Sequence, residues 1–274
     1  MTDAVPLMYG AHVGANGIRQ HYLRYGGKGE PVIVVPGITS PAATWGFVGA
    51  RLGARYDTYV LDVRGRGLSS AGPNLDYSLD AYAKDVDAFA AALGLSSYRL
   101  VGHSMGGRIA AKVASCHGGP VSHVALIDPP LTGPGRKAYV QPLAFYLKAI
   151  REAQAGTLDF ARARASYPLW TEEQVRQRIE WLPTCDETAI ARTHAGFSDE
   201  EIHTELLNIM ARLLLMVAGK GGVIDAGDIA EVLALQPATI VKTIAGAGHM
   251  IPFEKPEEFF TELDRFLESP PSQA

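Results

Sequence analysis

The stretch that most limits what this chain can fold into is Leu100-Val101-Gly102-His103-Ser104-Met105-Gly106-Gly107. An apolar run from Tyr98 to Val101 drives into Gly-x-Ser-x-Gly, and the segment Arg108-Ile-Ala-Ala-Lys-Val-Ala then reads as helix. A strand–turn–helix this tight leaves no space for a Cβ at Gly102 or Gly106, and it lifts the Ser104 hydroxyl off the sheet edge. The serine then sits at a helix N-terminus, where backbone N–H groups and the helix dipole favour negative charge. A glycine-punctuated turn with a chance serine is the bland alternative. The apolar strand before it and the helix after it argue for the first reading.

The rest of the chain supplies the sheet such a turn needs. Residues 10–25 alternate around Asn16-Gly17, the short-range signal of a β-hairpin. Pro31-Val-Ile-Val-Val and Thr58-Tyr-Val-Leu-Asp-Val are continuous apolar runs suited to strands covered on both faces. A helical stretch from about Thr44 to Arg55 lies between them, and Ser78 is an N-cap for a helix running to Gly94. Val124-Ala-Leu-Ile then leads into Asp128. From Pro129 to about Arg212 the strand rhythm stops, and helical patterns carry Phe145, Tyr146, Trp170 and Trp181. Alternation resumes with Leu213-Leu-Leu-Met-Val, a helix from Ala226 to Leu235, Thr239-Ile-Val-Lys-Thr-Ile, and an amphipathic helix opening at Pro256. Strands alternating with helices predict an α/β fold, a mostly parallel sheet flanked by helices. Residues 1–128 and 212–274 form the expected core, with 129–211 an inserted helical cap and the pocket between the two. Only the tail from Ser269 reads as disordered.

Composition narrows the function classes. With 274 residues, 47% apolar and 20% charged, the chain is of ordinary globular type and long enough for one large α/β core. A net charge of −4 and no basic run argue against nucleic acid as partner. No apolar run reaches the roughly 20 residues of a membrane span, and the N-terminus has no basic segment of a signal peptide. The two cysteines, Cys116 and Cys185, fit a reducing compartment, so a cytoplasmic location is expected. Cys116 is expected as a small core residue on the helix after Ser104.

A serine hydroxyl needs a base within hydrogen-bond reach. Of the eight histidines, His12, His21, His103, His117, His123, His194 and His203 read as structural or exposed. His249, in Gly246-Ala-Gly-His-Met-Ile-Pro, lies in a loop directly after a late strand and so falls at the sheet edge where Ser104 opens. The base in turn needs a carboxylate. The commonest position, after the strand that follows the cap, holds Ala218-Gly-Lys-Gly-Gly-Val, with no acid before Asp225. Asp128, one strand earlier at a strand end, is favoured by placement, with Asp225 and Asp228 as alternatives. Two backbone N–H groups aimed at one point would make an oxyanion hole: Met105 supplies one, and Ile38, beside Thr39 in the loop after Val35, the other. No Walker sequence, His-Glu-x-x-His or zinc-spaced cysteine pair occurs, and Gly65-Arg-Gly-Leu-Ser-Ser is only a fragment of a dinucleotide fingerprint. No metal or organic cofactor is implied.

With these residues in place the chain resembles the α/β-hydrolase superfamily over nearly its whole length, and more closely the N-formylmaleamate deformylases of aerobic nicotinate breakdown. The resemblance rests on ANGIRQHYLRYGGKG at 15–29, VPGITSPAATWGFV at 35–48, LDVRGRGLSSAGP at 61–73 and LVGHSMGGRIA at 100–110. Further matches are DPPLTGPGR at 128–136, AGKGGVIDAGDIAE at 218–231 and AGHMIP at 247–252. It implies an α/β-hydrolase fold with an inserted helical cap, and an acid in the Asp-Pro-Pro segment, Asp128. It also implies the reaction: Ser104 attacks a formyl carbon, His249 moves the proton, and a formyl-enzyme is hydrolysed.

A small anionic amide as substrate calls for a cation near the pocket. Arg136 is the first candidate, followed by Arg108 and Lys137, against the alternative of solvated surface charge. Trp45, Trp170 and Trp181 are candidates to wall the pocket, with core packing as the default. The rival readings are another small-substrate hydrolase (enol-lactonase, carboxylesterase or C–C hydrolase) and a non-catalytic small-molecule binding module.

Overall fold

The computed structural model describes residues 5–116 and 120–271. His117 and residues 272–274 of the tail, for which expectations were stated, lie outside that range. Eight strands form one sheet in the order β1-β2-β4-β3-β5-β6-β7-β8. The hairpin β1 (Leu7–Ala15) and β2 (Ile18–Tyr25) turns at Asn16-Gly17, both with positive φ, as its sequence requires. β2 pairs antiparallel with β4 (Asp57–Leu61). From there the sheet is parallel through β3 (Pro31–Val35), β5 (Tyr98–His103), β6 (Val121–Ile127), β7 (Arg212–Ala218) and β8 (Ile240–Ile244).

The unbroken apolar runs follow from burial on both faces, because successive side chains of a strand point to opposite sides. Ile33, Val35, Leu61, Leu100, Leu126 and Leu215 pack on one face, against Val86 and Phe89 of α2 (Leu79–Ala92) and Ile109 and Val113 of α3 (Met105–Ala114). Their neighbours Val34, Val60, Val101, Ala125, Ile127 and Met216 pack on the other, against Val48 and Leu52 of α1 (Gly46–Leu52) and Phe259 and Leu263 of α11 (Pro256–Leu267). Ser78 caps α2 as expected, its side chain accepting from the Ala81 N–H.

Three expectations need correction. The helix expected over 44–55 is a 3-10 turn, Ala42–Trp45, followed by the two-turn α1, because Gly49 and Gly53 lie against the Tyr25 side chain and the chain turns at once into β4. Cys116 is exposed, since α3 ends at Ala114 and carries it past the packed stripe. Ser269 is held rather than loose: its carbonyl accepts a 2.9 Å hydrogen bond from His123 Nε2.

Between β6 and β7 the described chain has no strand. It runs through α4 (Leu143–Gln154), α5 (Phe160–Ser166), α6 (Glu172–Trp181), α7 (Glu187–Asp199) and α8 (His203–Asn208). After β7 come α9 (Ala226–Leu235), β8 and the short α10 (Ile251–Glu254). Among the described residues no helix is long and apolar enough to cross a membrane.

The crossing of β5 into α3 is the tightest point of the fold. A Cβ on Gly106 would lie 1.9 Å from the Val35 carbonyl oxygen, and one on Gly102 would lie 2.1 Å from that of Gly106. Both obstacles are backbone. Gly106→Ala should therefore cost more than about 3 kcal/mol of stability. Gly14→Ala, with open space around the new methyl, should change stability by less than about 1 kcal/mol. Urea midpoints of the two variants measure the contrast.

Candidate active site

Ser104 sits between β5 and α3 with φ +53° and ψ −119°, a conformation that costs a non-glycine residue energy and survives only where the surroundings enforce it. Its N–H donates to the Ile127 carbonyl of β6 at 2.9 Å, and the side chain is almost fully enclosed. Ser104 Oγ lies 3.0 Å from His249 Nε2.

His249 comes from the loop between β8 and α10. That loop is held by the Gly248 N–H, which donates to Glu254 Oε2 at 2.7 Å, and by His103 Nε2–H, which donates to the His249 carbonyl at 2.9 Å. On its other edge His249 Nδ1 donates to Asp128 Oδ2 at 2.7 Å. Because the carboxylate accepts, the ring proton sits on Nδ1 and the Nε2 lone pair faces the serine hydroxyl. Asp128 is fully buried at the end of β6, with φ +43°. Oδ2 also accepts the Val223 N–H at 3.0 Å, and Oδ1 accepts the Ala218 N–H at 3.3 Å. The alternative acids are engaged elsewhere. Asp225 caps α9 by accepting from the Gly227 and Asp228 N–H groups, and Asp228 closes the same capping box.

Ile38 lies in the loop after β3 and Met105 opens α3. Among the described residues neither N–H donates to a protein acceptor. Two buried arginines grip the Ile38 loop. Arg66 Nε donates to the Ile38 carbonyl at 2.9 Å, while its Nη2 reaches Met105 Sδ at 3.6 Å and Thr193 Oγ1 at 2.9 Å. Arg178 of α6 donates to the Thr39 carbonyl through Nη1 and to Thr39 Oγ1 at 2.9 Å through Nη2. Arg66, within the fragment Gly65-Arg66-Gly67, thus braces this loop.

A cavity of about 300 Å³ opens over Ser104 and His249, floored by residues 37–40 and walled by Tyr139, Tyr146, Tyr167 and Arg178. None of the expected substrate-binding residues lines it. Arg136 is forked onto Glu231 with two 2.8 Å bonds and also reaches Glu201. Arg108 is buried on the far side of α3, donating to the carbonyls of Pro130, Thr132 and Glu200, and burial pushes its guanidinium down to about 10. Lys137 is taken by Asp225 and Asp228. Trp45 packs beneath the site between His103 and Phe253, and Trp170 stacks on Phe253 with ring centroids 4.1 Å apart. Trp181 lines a separate cavity. The sequence signal missed is on α6, where Arg178 occupies the stripe Val175, Arg178, Ile179, Leu182 at helical spacing. A lone arginine on a buried stripe is the mark of a charge with an inward task.

A hydroxyl facing an imidazole lone pair, an imidazole anchored by a buried carboxylate and two free N–H groups across the hydroxyl together suit acyl transfer through a covalent ester. Residues 32–262 match the alpha/beta hydrolase family. The chain belongs to that family. Within it, the chain is 53% identical over 261 residues to N-formylmaleamate deformylase of Pseudomonas putida, a match covering 95% of this chain and 97% of the relative. It superposes on the crystal structure of a serine-to-alanine variant of N-formylmaleamic acid deformylase from Pseudomonas putida with a TM-score of 0.88. That alignment has 45% identity and covers 93% of this chain and all of the other. An enol-lactonase from Burkholderia xenovorans shares the α/β-hydrolase fold, at 18% identity and TM-score 0.75 over 94% of this chain and all of that one.

His103, directly before the serine, carries a consequence for stability. Burial, and then the neighbouring His249, drive its imidazole down from 6.5 to about 3. Below pH 6.5 the unfolded chain therefore binds a proton that the folded one refuses, so stability falls as pH falls through 6.5 toward 3. Between pH 7.5 and 5.5 the wild type should lose about 1.4 kcal/mol more than His103→Gln, read from urea midpoints at the two pH values.

Proposed function

We propose that this family member is a serine hydrolase that converts N-formylmaleamate to maleamate and formate. The observation that carries the reading is the contact series Ser104–His249–Asp128 in a chain half identical, end to end, to a deformylase. Ser104 Oγ attacks the formyl carbon as His249 Nε2 takes its proton. The tetrahedral oxyanion is stabilised by the N–H groups of Ile38 and Met105, the second at the positive end of α3. Collapse breaks the C–N bond, and the imidazolium returns its proton to the departing nitrogen, which leaves as the primary amide of maleamate. That nitrogen already carries an acyl group, so it departs more readily than an amine. Water then attacks the formyl-enzyme with His249 as base, and formate leaves. No step is routed through a metal or coenzyme.

Residues 129–211 act as a cap that closes the pocket over the substrate, and Tyr139, Tyr146, Tyr167 and Arg178 are among its contributions to the walls. The reading also places the enzyme in the cytoplasm, on a small anionic substrate, with neither nucleic acid nor membrane as partner.

Formate release from N-formylmaleamate, assayed beside hydrolysis of p-nitrophenyl acetate, tests the reaction. Release from the amide supports it, and ester hydrolysis alone moves the chain to a different acyl substrate. Ser104→Ala should abolish turnover while the far-UV spectrum stays native, and retained activity would remove the serine from the mechanism. Asp128→Asn should lower kcat by about 10³–10⁴-fold, because it holds the wrong tautomer of His249. Asp225→Asn should leave kcat within a few-fold, and the reverse ranking would relocate the acid.

A further inference from the structure

The deformylase reading names an anionic substrate but leaves open what receives its charge. We infer that Arg178 is the carboxylate anchor of the pocket and thereby the residue that selects amides carrying an acid group. Among the described residues lining the cavity, Arg178 is the one side chain with a full charge at neutral pH, and no Asp, Glu or Lys lines it. Within 4.0 Å it has no carboxylate partner among the described residues. The other two buried arginines near the site also lack a carboxylate, but their donors are already committed. Arg66 places all three of its nitrogens on partners, Ile38 O, Arg64 O, Tyr82 Oη and Thr193 Oγ1 among them. Arg108 is committed to backbone carbonyls on the side of α3 away from the cavity. Arg178 spends two of a guanidinium's five N–H donors on Thr39, and its Nε is buried with no acceptor at all. A buried donor left empty is costly, and a planar fork with donors to spare fits a carboxylate.

Tyr139 and Tyr146, with hydroxyls 2.8 Å apart, share the wall that links Ser104 to Arg178. A ligand that meets both has one end at the nucleophile and its acid group at the guanidinium. Arg178 also holds Thr39, the neighbour of Ile38. Seating the carboxylate thus orders the loop that carries one of the proposed oxyanion donors, so binding energy at one end of the substrate supports geometry at the other. The anchor binds substrate and product alike, because maleamate keeps the carboxylate.

The test compares wild type with Arg178→Met and Arg178→Lys on N-formylmaleamate and on neutral p-nitrophenyl acetate, with maleamate as an inhibitor of ester hydrolysis. Arg178→Met should raise KM for N-formylmaleamate by about 100-fold and weaken maleamate inhibition by a similar factor. Ester kcat/KM should fall by less than about five-fold, the share owed to loosening Thr39. Arg178→Lys, which keeps the charge without the fork, should fall between. Equal losses on both substrates, or undiminished maleamate inhibition of Arg178→Met, would overturn the assignment. Should the Met variant fail to fold, Arg178→Gln, whose amide can still donate to Thr39, carries the same comparison. A wild-type protein that cleaves the ester but releases no formate would sink the deformylase reading. Maleamate inhibition that is strong in the wild type and lost in the variant would still support the anchor.

Discussion

One buried carboxylate organises this site. Asp128 is out of contact with water, and a charge so placed is tolerated only where hydrogen-bond donors replace its hydration. The donors come from Ala218 at the end of β7, Val223 in the loop beyond it and His249 after β8, while the Asp128 N–H is itself fastened to Met216. Three successive strand ends are thus drawn to one point. The imidazole proton is assigned by the same contact, which leaves Nε2 facing Ser104. The dependence runs in one direction: sheet register places the carboxylate, the carboxylate places the imidazole, and the imidazole meets a serine whose backbone is held by its own bond to Ile127.

A second set of contacts secures the opposite side of the serine. Arg66 and Arg178 both reach the loop after β3, one from the segment after β4 and the other from α6. Backbone carbonyls and hydroxyls receive these cations, so each holds its neighbours through directional bonds without a neutralising partner. Arg66 thereby fixes the carbonyl of Ile38, and Arg178 that of Thr39. The loop could not be shifted without leaving buried guanidinium donors empty, which makes its geometry costly to disturb.

How much of this was legible in the sequence depended on whether local rules or distant contacts decide each residue. Asn16-Gly17, Ser78 and the crowded glycines around Ser104 act through neighbours a few positions away, and the strands announce themselves by uninterrupted apolar runs. Asp128 and His249 were readable as candidates because the first directly follows β6 and the second lies in the loop after β8, and strand ends converge in a parallel sheet. The charges on α3 and between β6 and β7 were not. Arg136, Arg108 and Arg178 have the same chemistry, and only the packing of separate helices decides that the first meets Glu231, the second meets carbonyls and the third meets the cavity. Cys116 misled for a smaller reason: its spacing continues the apolar stripe of α3, but the helix stops two residues earlier.

Placing the acid on β6 has an effect at the strand beside it. The loop after β7 needs no carboxylate of its own, and its glycines let the chain fold flat against Asp128: a Cβ at Gly222 would lie 2.8 Å from either carboxylate oxygen. Its neighbours Gly221 and Val223 are released to face the cavity. Proton chemistry and guest shape are therefore written on different strands. Divergence among such enzymes can proceed by exchanging the side chain at 223, leaving the relay beneath it undisturbed, whereas the φ of +71° at Gly221 resists any side chain.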